Sequence, residues 1–183
     1  MPLTPEQILQ TLHAALATSE AGASPLTLHP GQPDPWIEVP ADLLLSVCRL
    51  LRSHTELQFD ILNNLCGVDT LETDPKRAPK AAYPAEIQVV YHLTSFVHRH
   101  RITIKVRLPR WKDGVAGQLP ELPSVSSLWS IANWHERECY DLVGVQFSGH
   151  PDLTRILCPD DWVGHPLRKD YEMPLEYGGI RAR

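Results

Sequence analysis

The chain has 183 residues and a formal net charge of −5, and 43% of its residues are hydrophobic. This size and composition fit one domain with a single sizeable core, and the modest acidic excess argues against a dedicated nucleic-acid binder. The sequence contains no run of about eighteen apolar residues, the length that a membrane-spanning helix needs. The N-terminus lacks the basic and apolar regions of a secretory signal.

Two helices and two short strands are predicted in the first third of the chain. The sequence Thr4-Pro5-Glu6-Gln7 combines an N-cap with a proline at the first helical position, which predicts a helix from here to about Glu20. Residues 26–29 and 36–39 are predicted strands on either side of a turn-rich segment. A second helix is expected to begin at Pro40.

Two further helices are predicted on less regular patterns. The spacing of Phe59, Leu62 and Leu65 suggests a short helix that Gly67 closes, although a strand is not excluded. A later helix is expected to start near Ser124 and to continue into the most charged part of the chain.

The clearest strand signal is a pair of alternating runs, residues 87–93 and 102–108. Each run has period two, so each has one apolar and one polar face. If Tyr91 opposes Ile104, the apolar faces coincide and the pair is an antiparallel hairpin. The whole order of elements describes an α+β fold, a mostly antiparallel sheet with helices packed on one face.

The segment from Trp134 to Tyr171 is the densest run of charge, aromatics and turn signals. On a helix, Arg137 and Asp141 lie four residues apart on one face, which predicts an ion pair between them, and Gly144 then ends the helix. Glu136 and Glu138 are two apart and point about 200° away from each other, so they cannot form a catalytic carboxylate pair. An ionic network that locks this helix to its neighbours is the favoured interpretation.

Two similar turns follow, Gly149-His150-Pro151 and Gly164-His165-Pro166. Proline disfavours a helical conformation at the preceding residue, so both imidazoles are expected on extended corners. A metal centre formed by Glu138, His150 and His165, and hence a small metal-dependent hydrolase, is an alternative if the two turns converge. His135 begins an H-E-x-x-H pattern, but Cys139 occupies the place of its second histidine.

No cofactor motif is recognisable in this chain. The four cysteines include no C-x-x-C pair, and we expect reduced, mostly buried thiols. Neither a dinucleotide-binding nor a P-loop glycine pattern occurs. The sequence therefore indicates an interaction module better than a freestanding enzyme.

The charged segment closely resembles the signature of the C-type subunit of the proton-pumping NADH:quinone oxidoreductase, respiratory complex I. About forty residues match in register. The matching pieces are Glu136-Arg137-Glu138, Tyr140-Asp141-Leu142, Gly144, Phe147, His150-Pro151-Asp152-Leu153, Arg155-Ile156-Leu157 and Gly164-His165-Pro166-Leu167-Arg168-Lys169-Asp170-Tyr171. Thr154 departs from the pattern, which often has a basic residue there.

The resemblance implies a subunit without a cofactor in the hydrophilic arm of complex I. It would dock on the D-type subunit, which helps to form the quinone site, and on neighbouring subunits. FMN and iron–sulfur clusters would belong to the partners, and the assembly would carry electrons from NADH to quinone and pump protons. The chain would be peripheral, held through the complex at the cytoplasmic face of a bacterial inner membrane. The implied structural and docking residues are Glu136, Arg137, Glu138, Asp141, His150, Arg155, His165, Arg168, Lys169 and Asp170.

Residues 1–147 are predicted to form the α+β domain, and residues 148–183 the signature turns and an extended tail. The tail has no period, and similarity to the family favours a tail that lies along a partner, with Leu175, Tyr177 and Ile180 as anchors.

Two further alternatives stay open beside the metal-dependent hydrolase. The equivalent subunit of a related membrane-bound hydrogenase or NDH-type complex belongs to the same class. An RNA-binding sheet would use the basic stripe, but the stripe has no interleaved aromatic residue, so a solvated or partner-facing surface is favoured. The stripe consists of Arg99, Arg101, Lys105, Arg107, Arg110 and Lys112.

Overall fold

The computed structural model describes residues 2–17, 26–31 and 34–181. Three helices accompany a five-stranded sheet of order β1-β2-β5-β4-β3 and two small strand pairs. The helices are α1 (Pro5–Ala17), α2 (Leu44–Ser53) and α3 (Ala132–Val143). The sheet strands are β1 (Thr27–His29), β2 (Trp36–Glu38), β3 (Ile61–Asp69), β4 (Glu86–Thr94) and β5 (Arg101–Pro109). The small pairs are β6 (Glu121–Pro123) with β7 (Gln146–Ser148) and β8 (Glu176–Tyr177) with β9 (Ile180–Arg181).

The sheet confirms the predicted α+β class and is mostly antiparallel. Tyr91 opposes Ile104 in the β4–β5 hairpin, the register that the alternating pattern predicted. Only β2 and β5 run parallel among the sheet neighbours, which makes the sheet mixed. Such a parallel pair needs a long crossover connection, and here the crossover contains α2, β3 and β4.

All three helices bury side chains in one apolar cluster on the same side of the sheet. Ile8 and Leu12 of α1 and Leu51 of α2 are completely inaccessible to solvent. A fully buried side chain of this size contributes about 1.5–3 kcal/mol. The predicted last turn of α1, up to Glu20, falls outside the described residues. Within the described residues, no helix is long and apolar enough to cross a membrane.

The predicted helix around Leu62 and Leu65 is wrong, because this segment is strand β3. A register shift between Leu62 and Asn64 inserts one residue into the ladder with β4. The bulge places two leucines three residues apart on the same buried face, which imitates helical spacing. Gly67 lies inside the strand, where a Cβ would stand 2.7 Å from Cys139 Sγ of α3.

The helix predicted near Ser124 begins later, at Ala132. Between β6 and α3 the chain makes turns, and Trp129 Nε1 donates a hydrogen bond to the Phe59 carbonyl at 2.9 Å. From Gly149 to Leu175 the chain contains neither helix nor strand. The tail is not extended throughout, since β8 and β9 form a small hairpin around Gly178 and Gly179.

Candidate docking surface around the third helix

Asp141, near the end of α3, organises the segment that follows the helix. Its buried Oδ2 atom accepts hydrogen bonds from the backbone N–H groups of Ile156, Leu157 and Cys158, at 3.0, 2.7 and 2.8 Å. Its Oδ1 atom accepts a bond from Arg155 Nη1 at 2.6 Å. Burial alone would raise the pKa of Asp141, but the three N–H bonds and Arg155 outweigh it and lower the pKa to about 2. The carboxylate therefore holds four consecutive residues of an irregular segment.

The predicted ion pair between Arg137 and Asp141 is wrong. Arg137 instead donates to the Thr154 carbonyl at 3.1 Å, to Thr154 Oγ1 at 2.8 Å and to the Arg155 carbonyl at 3.1 Å. Thr154, the position that departs from the family pattern, thus accepts charge-assisted hydrogen bonds rather than supplying a charge. Asp141 pairs with Arg155 because the chain turns back over α3. The spacing of residues along the helix does not reveal this contact.

The buried Arg168 guanidinium closes the C-terminal end of α3. Its Nε atom donates to the Val143 carbonyl at 2.8 Å, and its Nη2 atom donates to the Gly144 carbonyl at 3.1 Å. Its Nη1 atom reaches the Arg110 carbonyl at 2.9 Å, and the guanidinium lies 3.7 Å above the Trp111 ring. Carbonyl groups at a helix C-terminus carry partial negative charge, so they favour a cation here.

A second charged cluster joins the end of β3 to the segment after α3. Arg110 donates from Nε and Nη2 to the two carboxylate oxygens of Asp69, at 3.0 and 2.8 Å, and its Nη1 atom donates to Asp170 at 3.0 Å. The backbone N–H of Lys169 also donates to Asp69, at 3.0 Å. Burial would raise the pKa of Asp69, but Arg110 and these backbone bonds lower it overall. The Lys169 side chain itself is exposed.

Glu136 is completely buried and joins α3 to the turn before it. Its carboxyl oxygens accept bonds from Ser124 Oγ at 2.6 Å and from the Val125 N–H at 2.7 Å. Burial raises its pKa to about 7, although both bonds act in the opposite direction. Glu138 is exposed, which agrees with the predicted separation of the two carboxylates around the helix.

The two corner histidines bond to the backbone of α3. His150 Nδ1 accepts the Asp152 N–H at 3.0 Å, so its proton lies on Nε2, which donates to the Asn133 carbonyl at 3.1 Å. His165 Nδ1 bonds the Asp141 carbonyl at 2.9 Å, and burial lowers its pKa. Gly144 has φ +79, and a Cβ there would stand 2.5 Å from the His165 ring.

The metal centre predicted as an alternative does not form. No group of three His, Cys, Asp or Glu side chains in the described ranges is placed to hold a metal ion. Both nitrogens of His150 are already engaged with backbone groups, and Glu138 faces solvent. The hypothesis of a metal-dependent hydrolase therefore finds no support in this geometry.

Three of the six basic side chains of the stripe are paired with carboxylates of the chain. Arg107 Nε lies 2.7 Å from Glu86, Lys112 Nζ lies 3.0 Å from Glu121, and Arg110 holds Asp69. The expectation that this face has no aromatic residue is wrong, because the parallel pairing of β2 with β5 brings Trp36 onto it. His29 stacks on Trp36 at 5.0 Å and Lys105 Nζ lies 3.8 Å from its ring centroid, so this ring is already in contact with side chains of the chain itself.

The polar contacts leave apolar side chains facing outward. In the segment from Gly149 to Tyr171, hereafter the docking strip, Leu157, Val163 and Leu167 are 63%, 84% and 56% exposed. In the tail, Leu175 and Ile180 are 75% and 77% exposed. The Tyr177 side chain instead packs on the docking strip, since its hydroxyl donates to Asp161 at 2.8 Å and its ring lies 5.0 Å from the Trp162 ring.

Most residues named from the sequence meet in three arrangements, the first two of which touch where His150 Nε2 lies 3.9 Å from Glu136 Oε2. Arg137, Asp141, Arg155 and both histidines hold the docking strip, Glu136 holds the turn before α3, and Asp170 joins the Arg110 cluster. Arg168 caps the end of α3, and Glu138 faces solvent. Sequence reasoning missed Asp69 and Ser124. Asp69 follows an apolar run, but nothing in its neighbours signals that Arg110 lies beside it.

Comparisons with known proteins agree with the sequence resemblance. A family profile described as "Respiratory-chain NADH dehydrogenase, 30 Kd subunit" matches residues 37–177. The C-type subunit of the NADH-quinone oxidoreductase of Roseiflexus castenholzii is 42% identical over 176 residues, which cover 96% of this chain and 88% of that protein. The protein of the same name from Moorella thermoacetica is 43% identical over 153 residues, covering 84% and 90% of the two chains.

A solved structure has the same fold. A chain of the membrane-bound sulfane sulfur reductase, an archaeal respiratory membrane complex, aligns with a TM-score of 0.64 and 24% identity. The alignment covers 92% of this chain and 85% of that one. The present chain is thus a member of the family of the 30 kDa subunit of respiratory-chain NADH dehydrogenase, as its charged segment indicated.

Proposed function

We propose that this chain is a cofactor-free docking subunit of the hydrophilic arm of NADH:quinone oxidoreductase. It holds its neighbours, the D-type subunit among them, in the geometry that electron transfer from NADH to quinone requires, and the complete assembly couples this transfer to proton translocation. FMN and the iron–sulfur clusters belong to the neighbours. The chain lies at the cytoplasmic face of the membrane and is attached through the complex alone.

The observation that carries the proposal is the docking strip, which is irregular in backbone but fixed by buried polar contacts. Asp141 holds residues 155–158 against α3, and Arg168 holds the C-terminal part of the strip to the end of α3 and to Arg110 just after β5. Leu157 and Val163 project outward. Exposed apolar side chains on a firmly held segment are characteristic of a protein-binding surface. The names of the relatives supply the kind of assembly to which such a surface belongs.

The test is the composition of the complex purified from detergent-solubilised membranes through a tag on this chain. Leu157→Asp with Val163→Asp should reduce the amount of the co-purified D-type subunit by at least about tenfold, because a carboxylate is then buried without a partner. Val97→Asp is the matched control, since Val97 is 65% exposed at the distant β4–β5 turn. Equal recovery of the D-type subunit with the unmodified chain and both variants would overturn the docking role.

A second measurement addresses the absence of a cofactor. The full chain, purified without its partners, should contain neither flavin nor stoichiometric iron and should not oxidise NADH. Bound flavin, an iron–sulfur spectrum or NADH turnover by the chain alone would contradict the proposal.

A further inference from the structure

The two edges of the five-stranded sheet differ in how they are protected from other strands. One edge is β1, which has three residues and is followed by Pro30. The other is β3, which has nine residues. Natural proteins protect sheet edges with short strands, prolines, charged side chains or bulges, because an open edge pairs readily with another chain. The β1 edge has two of these protections.

The β3 edge is protected over its first part only. The bulge between Leu62 and Asn64 interrupts regular pairing there. Beyond it, residues 64–68 read Asn-Leu-Cys-Gly-Val and contain neither charge nor proline. Among the described residues, only β4 hydrogen-bonds to the backbone of this stretch. In an edge strand, half of the backbone N–H and C=O groups bond to the single neighbouring strand, and the other half point away from the sheet. Five residues of strand present such groups along about 17 Å.

The side chains beside this edge form a groove of largely apolar character. Leu65, Cys66, Leu142 and Leu167 line it, together with Gly67. Val68 is 41% exposed at its end. Gly67 allows α3 to approach β3 so closely that the groove stays shallow, since a side chain at this position would collide with Cys139.

One acidic group borders the groove. Glu138 is exposed and forms no ion pair with any residue that the structure describes. Glu138 lines the groove together with Cys66, so its charge lies beside the edge. Burial and then this carboxylate raise the pKa of the Cys66 thiol. The edge is also continuous with the docking strip, because the Lys169 N–H binds Asp69 at the end of β3.

From these features we infer that the β3 edge between Asn64 and Val68 accepts an extended segment of a partner subunit as a sixth strand. Main-chain hydrogen bonds supply the affinity of such strand addition, and side-chain pockets supply the specificity. The segment carries apolar side chains at alternate positions that fit against Leu65 and Leu167. It also carries a Lys or Arg opposite Glu138. The inference rests on the proposed docking role and adds a second contact surface to it.

Amide hydrogen exchange in the free full-length chain and in the purified complex tests the inference. The outward-pointing amides of residues 64–68 should exchange at least about tenfold more slowly in the complex, because they gain hydrogen-bond partners. The exposed β4–β5 turn, residues 95–99, is the internal reference. Equal exchange of residues 64–68 in both samples would overturn the inference.

Edge-blocking variants give a second readout. Asn64→Lys with Val68→Lys should reduce the recovery of partner subunits by about tenfold at an unchanged Tm of the free chain, whereas Val97→Lys should not. If Asn64→Lys with Val68→Lys assembles normally while Leu157→Asp with Val163→Asp loses its partner subunits, the inference about the β3 edge is wrong. The docking role of the strip is then still supported. A free chain that dimerises through residues 64–68 would also overturn the inference about the β3 edge, since the edge would then pair with a second copy.

Discussion

The α+β core and the docking strip are stabilised in different ways, although they share α3. In the core, one apolar cluster joins three helices to the sheet. In the strip, no helix or strand forms between Gly149 and Tyr171, and side-chain bonds to backbone groups fix the chain. A surface segment can thus be firmly positioned without regular structure, provided that a few buried charged groups replace the missing backbone ladder.

The largest predicted effect is the loss of the Asp141 carboxylate. Asp141→Ala removes the acceptor of three backbone N–H groups and leaves Arg155 without its carboxylate, which should cost about 3–5 kcal/mol. Chemical denaturation of the full chain measures this change. Asp152→Ala is the matched control, because Asp152 is exposed.

The low pKa of Asp141 adds a pH dependence to the same prediction. A carboxyl group whose folded pKa is depressed contributes stability above its unfolded pKa, and that stability is lost as the pH falls through the folded value. The contribution of Asp141 should therefore be complete at neutral pH and disappear between about pH 4 and about pH 2. An acid titration in which Asp141→Ala and the unmodified chain lose stability in parallel would contradict the assignment.

Arg168 should have the next largest effect. Arg168→Met keeps much of the apolar volume but removes hydrogen bonds to three carbonyl groups, which should cost about 2–4 kcal/mol. Arg168→Lys should recover only part of this loss, because an ammonium group cannot reproduce the planar fork. Thermal unfolding compares both variants with Lys169→Ala, whose side chain is exposed. Full recovery with lysine would show that charge alone matters at the end of α3.

Glu136 should make stability depend on pH in the opposite direction. Its folded pKa is raised to about 7, so its contribution is complete below about pH 4.5 and is lost as the pH rises through about 7. Between pH 5 and pH 8 the free energy of unfolding should fall by an amount on the order of 2 kcal/mol. Glu136→Gln keeps an acceptor for Ser124 and Val125 and should flatten this dependence. If the free energy of unfolding of Glu136→Gln fell with pH as steeply as that of the unmodified chain, the pH dependence would belong to another group.

The smallest predicted effect concerns packing in the core. Gly67→Ala places a methyl group 2.7 Å from Cys139 Sγ and should cost about 1–3 kcal/mol. The same change combined with Cys139→Ala should cost less than the sum of the two single changes, because the sulfur atom is the nearest obstacle. Strict additivity in a double-mutant cycle would contradict the close approach of α3 to β3.

The sequence predicted the parts of the fold in which local pattern and tertiary environment agree. The β4–β5 hairpin followed from its period of two, and the end of α3 followed from Gly144. Strand β3 was predicted as a short helix, with a strand left open, because the bulge after Leu62 breaks the alternation. The parallel pairing of β2 with β5 could not be predicted, because nothing in either strand specifies a neighbour so distant in the chain.

The site was predictable as a set of residues but not as a set of contacts. The resemblance pointed to Asp141, Arg155 and Arg168, and each of them makes buried or half-buried hydrogen bonds. Helical spacing assigned Arg137 to Asp141, yet each of these side chains binds a chain segment that returns from beyond Gly149. Such contacts depend on where an irregular segment crosses the helix, and periodicity contains no information about that crossing.

We conclude that side chains of α3 and its neighbours hold the docking strip in place before any partner binds. Amide hydrogen exchange of Ile156, Leu157 and Cys158 in the free full-length chain tests it most directly. These amides should be protected, since all three donate to the buried Asp141 carboxylate, and Asp141→Ala should abolish the protection. Exchange at the rate of an unstructured peptide in the unmodified chain would show instead that the partner shapes the strip.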